Sequence, residues 1–83
     1  MRTLDIALED VVTQYKALTY EVEQLSPTQW ILTVWNERVP GSYLKIELHD
    51  VGGVPAALVM ERHNVGRRSM TRFMDRFMDA LED

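Results

Sequence analysis

An 83-residue chain with a formal charge of −4, from 9 Lys and Arg against 13 Asp and Glu, has room for one small α+β domain spanning residues 1–83, whose core is necessarily small because folding buries only roughly 60% of so short a chain's surface. The acidic balance argues against wholesale nucleic-acid binding, which needs a net basic surface. The lack of cysteine excludes disulfides, thiolate nucleophiles and cysteine-based zinc sites, and it suits a cytoplasmic protein.

No apolar run approaches the roughly 18–20 residues of a membrane span. Asp5, Glu9 and Asp10 also interrupt any signal-peptide pattern near the start of the chain. Residues 3 to about 17 have helical periodicity. At 100° per residue, Leu4, Ala7, Leu8, Val11, Val12, Tyr15 and Leu18 share an arc of roughly 140°, with Asp5, Glu9, Thr13 and Lys16 opposite and only Ile6 off the pattern. Thr3 is placed to cap this helix.

Residues 19–25 admit two readings. The 4-3 spacing of Leu4, Leu8, Val11, Tyr15, Leu18, Val22 and Leu25 would let one helix run on to Leu25. The alternation in Thr19-Tyr20-Glu21-Val22-Glu23 favours a strand, although no Gly, Pro or Asn marks a break before Thr19.

Trp30 to Asn36 reads as the next strand, Val39-Pro40-Gly41-Ser42 as a turn and Tyr43 to His49 as a strand. Val51-Gly52-Gly53 fits a three-residue hairpin loop with Gly53 in the left-handed position. A last strand then runs from Ala56 to Arg62, in a register that sets Leu44 against Met60, Ile46 against Leu58 and Leu48 against Ala56. Residues 64–69 form a connection. Met70, Phe73, Met74, Phe77, Met78 and Leu81 give a second amphipathic helix from Met70 to about Leu81.

Parity unites the middle of the chain. Leu18, Tyr20, Val22, Trp30, Leu32, Val34, Leu44, Ile46, Leu48, Leu58 and Met60 are all even-numbered, and the odd positions between them are mostly polar. Alternate residues of a strand face opposite ways, so one parity means one buried face. The expectation is an α+β fold: a helix, a three- or four-stranded antiparallel meander and a helix, with both helices on the even face.

Catalytic chemistry finds little support. Glu47/His49 and Glu61/His63 look like two acid–histidine pairs, but the expected register sets the two imidazoles about 26 Å apart at 3.3 Å per residue. No metal is expected there, and no other pattern implies a cofactor. Ser26, Ser42 and Ser69 sit in turn or cap contexts, and the glycines form no phosphate-binding pattern. The chain is therefore read as a non-enzyme.

Arg62, Arg67, Arg68, Arg72 and Arg76 cluster near the start of the second helix, whereas Asp79, Glu82 and Asp83 lie at its end. That order opposes the helix dipole. Arg67, Arg68 and Arg72 are candidate anion-binding residues, beside the ordinary reading of intrahelical pairs Arg72–Asp75 and Arg76–Asp79. The Met70, Met74 and Met78 stripe reads first as core, and second as part of a partner or dimer surface.

The odd face carries the binding signal. Ile31, Thr33, Trp35, Tyr43, Lys45, Ala57 and Val59 would share it, and an open Trp and Tyr beside branched apolar side chains form a recognition patch. The candidate partner-binding residues are Trp35, Tyr43, Thr33, Lys45, Ile31 and Val59, while Trp30 faces inward.

The order helix, three strands, helix, with Gly66-Arg67-Arg68-Ser69-Met70-Thr71-Arg72 opening the second helix, resembles the double-stranded-RNA-binding domain. The chain departs from that family in its acidic balance and its bulky Met/Phe helix. A helix followed by a four-stranded meander is also similar to the front half of ubiquitin-conjugating-like folds, whose nucleophilic cysteine this chain lacks. Both resemblances are of element order, and no residue role follows from them.

The functional expectation is a small, acidic protein–protein interaction module of the inhibitor, immunity or assembly-chaperone kind. Its partner would be another protein with a basic surface, or a second copy of the chain. The alternative is a nucleic-acid or phosphate binder using the Arg62–Arg76 cluster.

Overall fold

The computed structural model describes residues 2–82. Its elements are α1 (Leu4–Val12), β1 (Leu18–Ser26), β2 (Gln29–Asn36), β3 (Tyr43–Val51), β4 (Val54–His63) and α2 (Arg67–Glu82). The four strands form one antiparallel sheet in the order β1-β2-β3-β4, so β1 and β4 are its edges. Both helices pack on one sheet face. Leu4, Ala7, Leu8 and Val11 of α1, with Phe73, Phe77 and Leu81 of α2, bury Leu32, Val34, Leu44, Ile46 and Leu48 in a single core.

The first helix ends earlier than its periodicity suggests. After Val12 the chain passes through turns to Ala17, which sits at φ 64°. Its carbonyl accepts the Glu37 N–H at 2.9 Å, and β1 then pairs with β2 from Leu18↔Asn36 onward. Residues 19–25 are thus strand. Leu18, Tyr20 and Val22 pack against the core, and the Tyr20 hydroxyl donates to Glu9 Oε1 at 2.9 Å, tying the edge strand to α1. That carboxylate, by accepting the bond, holds the Tyr20 phenol above its ordinary pKa. Thr3 occupies the cap position, but its hydroxyl makes no cap bond; its backbone carbonyl accepts Ala7 N–H instead.

Between β2 and β3, Ser42 N–H bonds the Val39 carbonyl at 3.1 Å with Gly41 at φ 79°, the type II turn that Pro followed by Gly favours. The β3–β4 hairpin differs from expectation. Its loop is the two residues Gly52 and Gly53, at φ 61° and 86°, and Val51 pairs with Val54. Two consecutive positive φ values match a type I′ turn, whose twist suits a tight hairpin better than the three-residue loop.

That one-residue change reverses the faces of β4. Leu48 now opposes Ala57 and Ile46 opposes Val59, so Ala57 and Val59 pack toward the core. Leu58 and Met60, expected inside, are 64% and 47% exposed. Val59, expected among the partner-binding residues, lies on the helix side instead. A bulge follows: Ile46 pairs with Val59 but Lys45 with Glu61, leaving Met60 as the extra residue. Beyond it Glu61 and His63 face outward, opposite Lys45 and Tyr43, and Arg62 turns to the helix side, where it donates to the Val65 carbonyl at 2.9 Å.

Two further placements differ. Trp30 pairs with Leu48 and packs against the core, but at the end of the sheet it is only half-buried. α2 begins at Arg67, three residues before Met70, so the first two arginines belong to the helix rather than to a connection. Its C-terminus is capped from the start of the chain. Arg2 N–H bonds the Leu81 carbonyl at 2.8 Å, and the Arg2 guanidinium reaches the Ala80 carbonyl at 3.3 Å and Asp10 at 3.0 Å. A cation there suits the negative end of the helix dipole and offsets the acidic last turn.

Three mutations test this account. Ile46→Ala should lower unfolding free energy by about 2–5 kcal/mol, and Leu58→Ala by no more than about 0.5 kcal/mol, in a urea titration. Equal losses would return Leu58 to the core. Ala17→Gly relieves a left-handed alanine and should raise stability by up to about 1 kcal/mol. A clear loss on that substitution would mean that position 17 is not left-handed.

Candidate interaction surface

No helix or terminus packs on the second sheet face among the described residues, and its side chains form rows across the strands. At the end near the β2–β3 turn, Thr19 pairs with Trp35, Tyr43 follows on β3, and His63 pairs with Tyr43. The Tyr43 and His63 rings stack with centroids 5.4 Å apart and planes 12° from parallel. His63 Nδ1 lies 2.7 Å from the Gly41 carbonyl, and the Tyr43 hydroxyl donates to Glu61 Oε2 at 3.0 Å. The Glu61 carboxylate raises the Tyr43 phenol above its ordinary pKa by accepting that bond. Trp35, Tyr43, Lys45 and Thr33 line one shallow depression on this face, with Glu61 at its border. Trp35 is half-buried in this row, and the indole keeps a face toward solvent through that depression.

The middle row is Glu21, Thr33, Lys45 and Glu61, and the next is Glu23, Ile31, Glu47 and Leu58. Lys45 closes no ion pair among the described residues, so its ammonium remains available between the two acidic edges. At the far end His49 Nε2 lies 2.8 Å from Glu47 Oε1, which also accepts from Gln29 Nε2 at 3.2 Å. These two hydrogen bonds, His49's first, hold the Glu47 carboxyl below its ordinary value.

Five of the six residues expected to bind a partner therefore share one face: Ile31, Thr33, Trp35, Tyr43 and Lys45. Val59 does not, and Leu58 takes its place. Sequence reasoning missed His63 and Leu58 because both depend on the β4 register. The two histidines are separated, with His63 opposite Tyr43, six residues along β3 from His49. That is about 20 Å at 3.3 Å per residue, against the 26 Å of the expected register.

Three arginines of α2 border one open depression with Thr71 and Asp75. Arg67, Arg68 and Arg72 all lie on the exposed helix surface. Arg67 and Arg72, five residues apart, point roughly 140° away from each other. Arg68 and Arg72 share a stripe. Neither Arg72–Asp75 nor Arg76–Asp79 closes into an ion pair among the described residues. Arg76 instead lies over the Tyr15 ring, 5.5 Å from its centroid. Tyr15 also lines a crevice of about 180 Å³ with Leu18, Leu44, Val65 and Phe73, and its hydroxyl is buried with no hydrogen-bond partner among the described residues.

The chain matches no protein-family model, no curated protein and no solved structure. The fold also holds four strands between its helices, where the double-stranded-RNA-binding pattern holds three. No helix among the described residues is long and apolar enough to cross a membrane.

The Glu47 cluster predicts a pH signature. A carboxyl whose folded pKa lies below its unfolded value contributes stability above the unfolded value and loses it as pH falls through the folded one. In an NMR pH titration the Glu47 carboxyl should titrate below an unperturbed glutamate, and His49→Ala should raise its midpoint. A midpoint unmoved by that substitution would mean that the imidazole contact does not persist in solution.

Proposed function

We propose that this chain is a non-enzymatic protein-binding module that acts in the cytoplasm and takes its partner on the uncovered sheet face. The observation that carries the reading is the row of Trp35 with the stacked Tyr43 and His63, on a face left free by both helices that also carries Ile31 and Leu58 two rows away. A solvated sheet face has no need of such side chains, whereas large rigid aromatics anchor interfaces at low entropic cost. The Tyr43–Glu61 and His63–Gly41 hydrogen bonds hold two of the rings in place before any partner arrives, which lowers the ordering cost of binding.

Charge narrows the partner. Glu21 and Glu61 lie in the row next to the aromatic one and Glu23 and Glu47 in the row beyond it, with Lys45 the only Lys or Arg among the face residues named above. Such a rim favours a basic partner surface and faster association at low salt. Inhibitors, immunity proteins and assembly chaperones that mask a basic surface fit this chemistry.

The test is capture from a lysate followed by calorimetry with the partner identified. Trp35→Ala should remain folded by circular dichroism and weaken binding by about thirtyfold or more, the usual cost of losing a central aromatic anchor. Lys45→Ala, within the same face but outside the aromatic row, should weaken it far less. Full affinity in Trp35→Ala, with the fold intact, would remove this face from the interface.

A further inference from the structure

We infer that the free edge of β4 is a self-association surface, on which a second copy of this chain adds its own β4 antiparallel and lays its α2 alongside. This goes beyond the open-face reading and uses a different border of the molecule.

Three observations lead to it. The first is the edge itself. Val54 to Met60 carries no charge along seven consecutive residues, with Leu58 64% and Met60 47% exposed. Edge strands that stay unpaired are commonly guarded by lysine or other charge; this stretch has only Pro55 and the bulge at its far end.

The second is the helix above that edge. Phe73 touches Tyr15, Arg76 covers the same ring, and Arg2 reaches the Ala80 carbonyl, so this flank of α2 faces α1. The opposite flank faces the β4 border. At 100° per residue, Met74, Arg67, Met78 and Glu82 lie within roughly 80° on that flank. Met74 and Met78 are half-buried, and Arg67 and Glu82 are exposed. Four strands at about 4.8 Å match two helices at about 8–10 Å, so pairing β4 with a second β4 brings the two α2 helices to packing distance in the same step.

The third is charge. A two-fold axis perpendicular to the sheet makes both the β4 strands and the α2 helices antiparallel. Arg67 of one copy then lies beside Glu82 of the other, with Met74 near the axis. Within one chain these two residues are about 22 Å apart along the helix at 1.5 Å per residue and cannot pair. Neither makes an ion pair among the described residues. The helix charge order that opposes its own dipole becomes self-complementary in this dimer. The pairing would join two open faces into one eight-stranded surface, with Leu58 and Met60 at the seam.

Sedimentation equilibrium over a wide range of concentration tests this directly. The wild-type chain, 9.7 kDa as a monomer, should approach twice that mass, less so at high salt. Leu58→Lys should leave a folded monomer. Arg67→Glu turns two symmetric attractions into repulsions and should weaken the dimer by about tenfold. Arg67→Glu/Glu82→Arg should recover it, an outcome that a merely local effect of either substitution does not produce. Trp35→Ala should leave the dimer intact. A wild-type chain that stays monomeric up to millimolar concentration would overturn the inference, as would a charge swap that fails to restore association. So would a dimer that resists Leu58→Lys and Arg67→Glu but is lost with Trp35→Ala. That last result would place self-association on the open face.

Discussion

Ile46, Leu32 and Leu48 sit fully buried beneath Leu8 and Phe77, and every other feature of the molecule follows from that contact. The two helices offer one apolar face each, and a four-stranded sheet is about as wide as two helices. They therefore cover one sheet face and exhaust themselves doing so. Among the described residues no further element covers the second face, and no further strand guards the edges. The open face and the bare β4 border are consequences of how the core closes.

The β4 bulge links that core to the surface. Without the extra residue at Met60, the register set by Gly52 and Gly53 would carry Glu61 and His63 to the helix side, where neither has an apolar role. With it, Ala57 and Val59 fill the core and Glu61 and His63 return to the outer face, beside Tyr43. A local irregularity thus both satisfies the packing and builds the stacked pair. The chain ends cooperate similarly. Arg2 bonds the last turn of α2 and supplies at its acidic end the cation that the helix itself lacks there.

The aromatic row and the β4 edge call on different physics. The row relies on rigid rings held by side-chain hydrogen bonds, suited to contact with a foreign surface. The edge relies on backbone groups and on a charge pattern that is complementary only to itself. A dimer through the edge leaves the row accessible on both copies, so the two surfaces can be occupied together.

The sequence by itself determined the order of elements, the inward face of β2 and β3, and the place of Trp35 and Tyr43 on the other face. Residues 43–49 of β3 alternate apolar and polar, and in β2 the even positions 30, 32 and 34 are all apolar, so the even parity is the one that can be buried consistently across both strands. It did not determine β4, because Val54-Pro55-Ala56-Ala57-Leu58-Val59-Met60 is apolar at both parities and burial could be met either way. The length of the Gly-Gly turn and the bulge made that choice, and with it the positions of Leu58, Val59 and His63. Nor did it determine where α1 stops, since the 4-3 spacing through Leu25 suits a helix while the alternation of Thr19-Tyr20-Glu21-Val22-Glu23 suits a strand. Pairing of β1 with β2 decided that boundary, and it drew Ala17 into a left-handed conformation that no glycine announced. Local patterns specify a face only where they are asymmetric; where they are symmetric, the register is set by contacts with the rest of the fold.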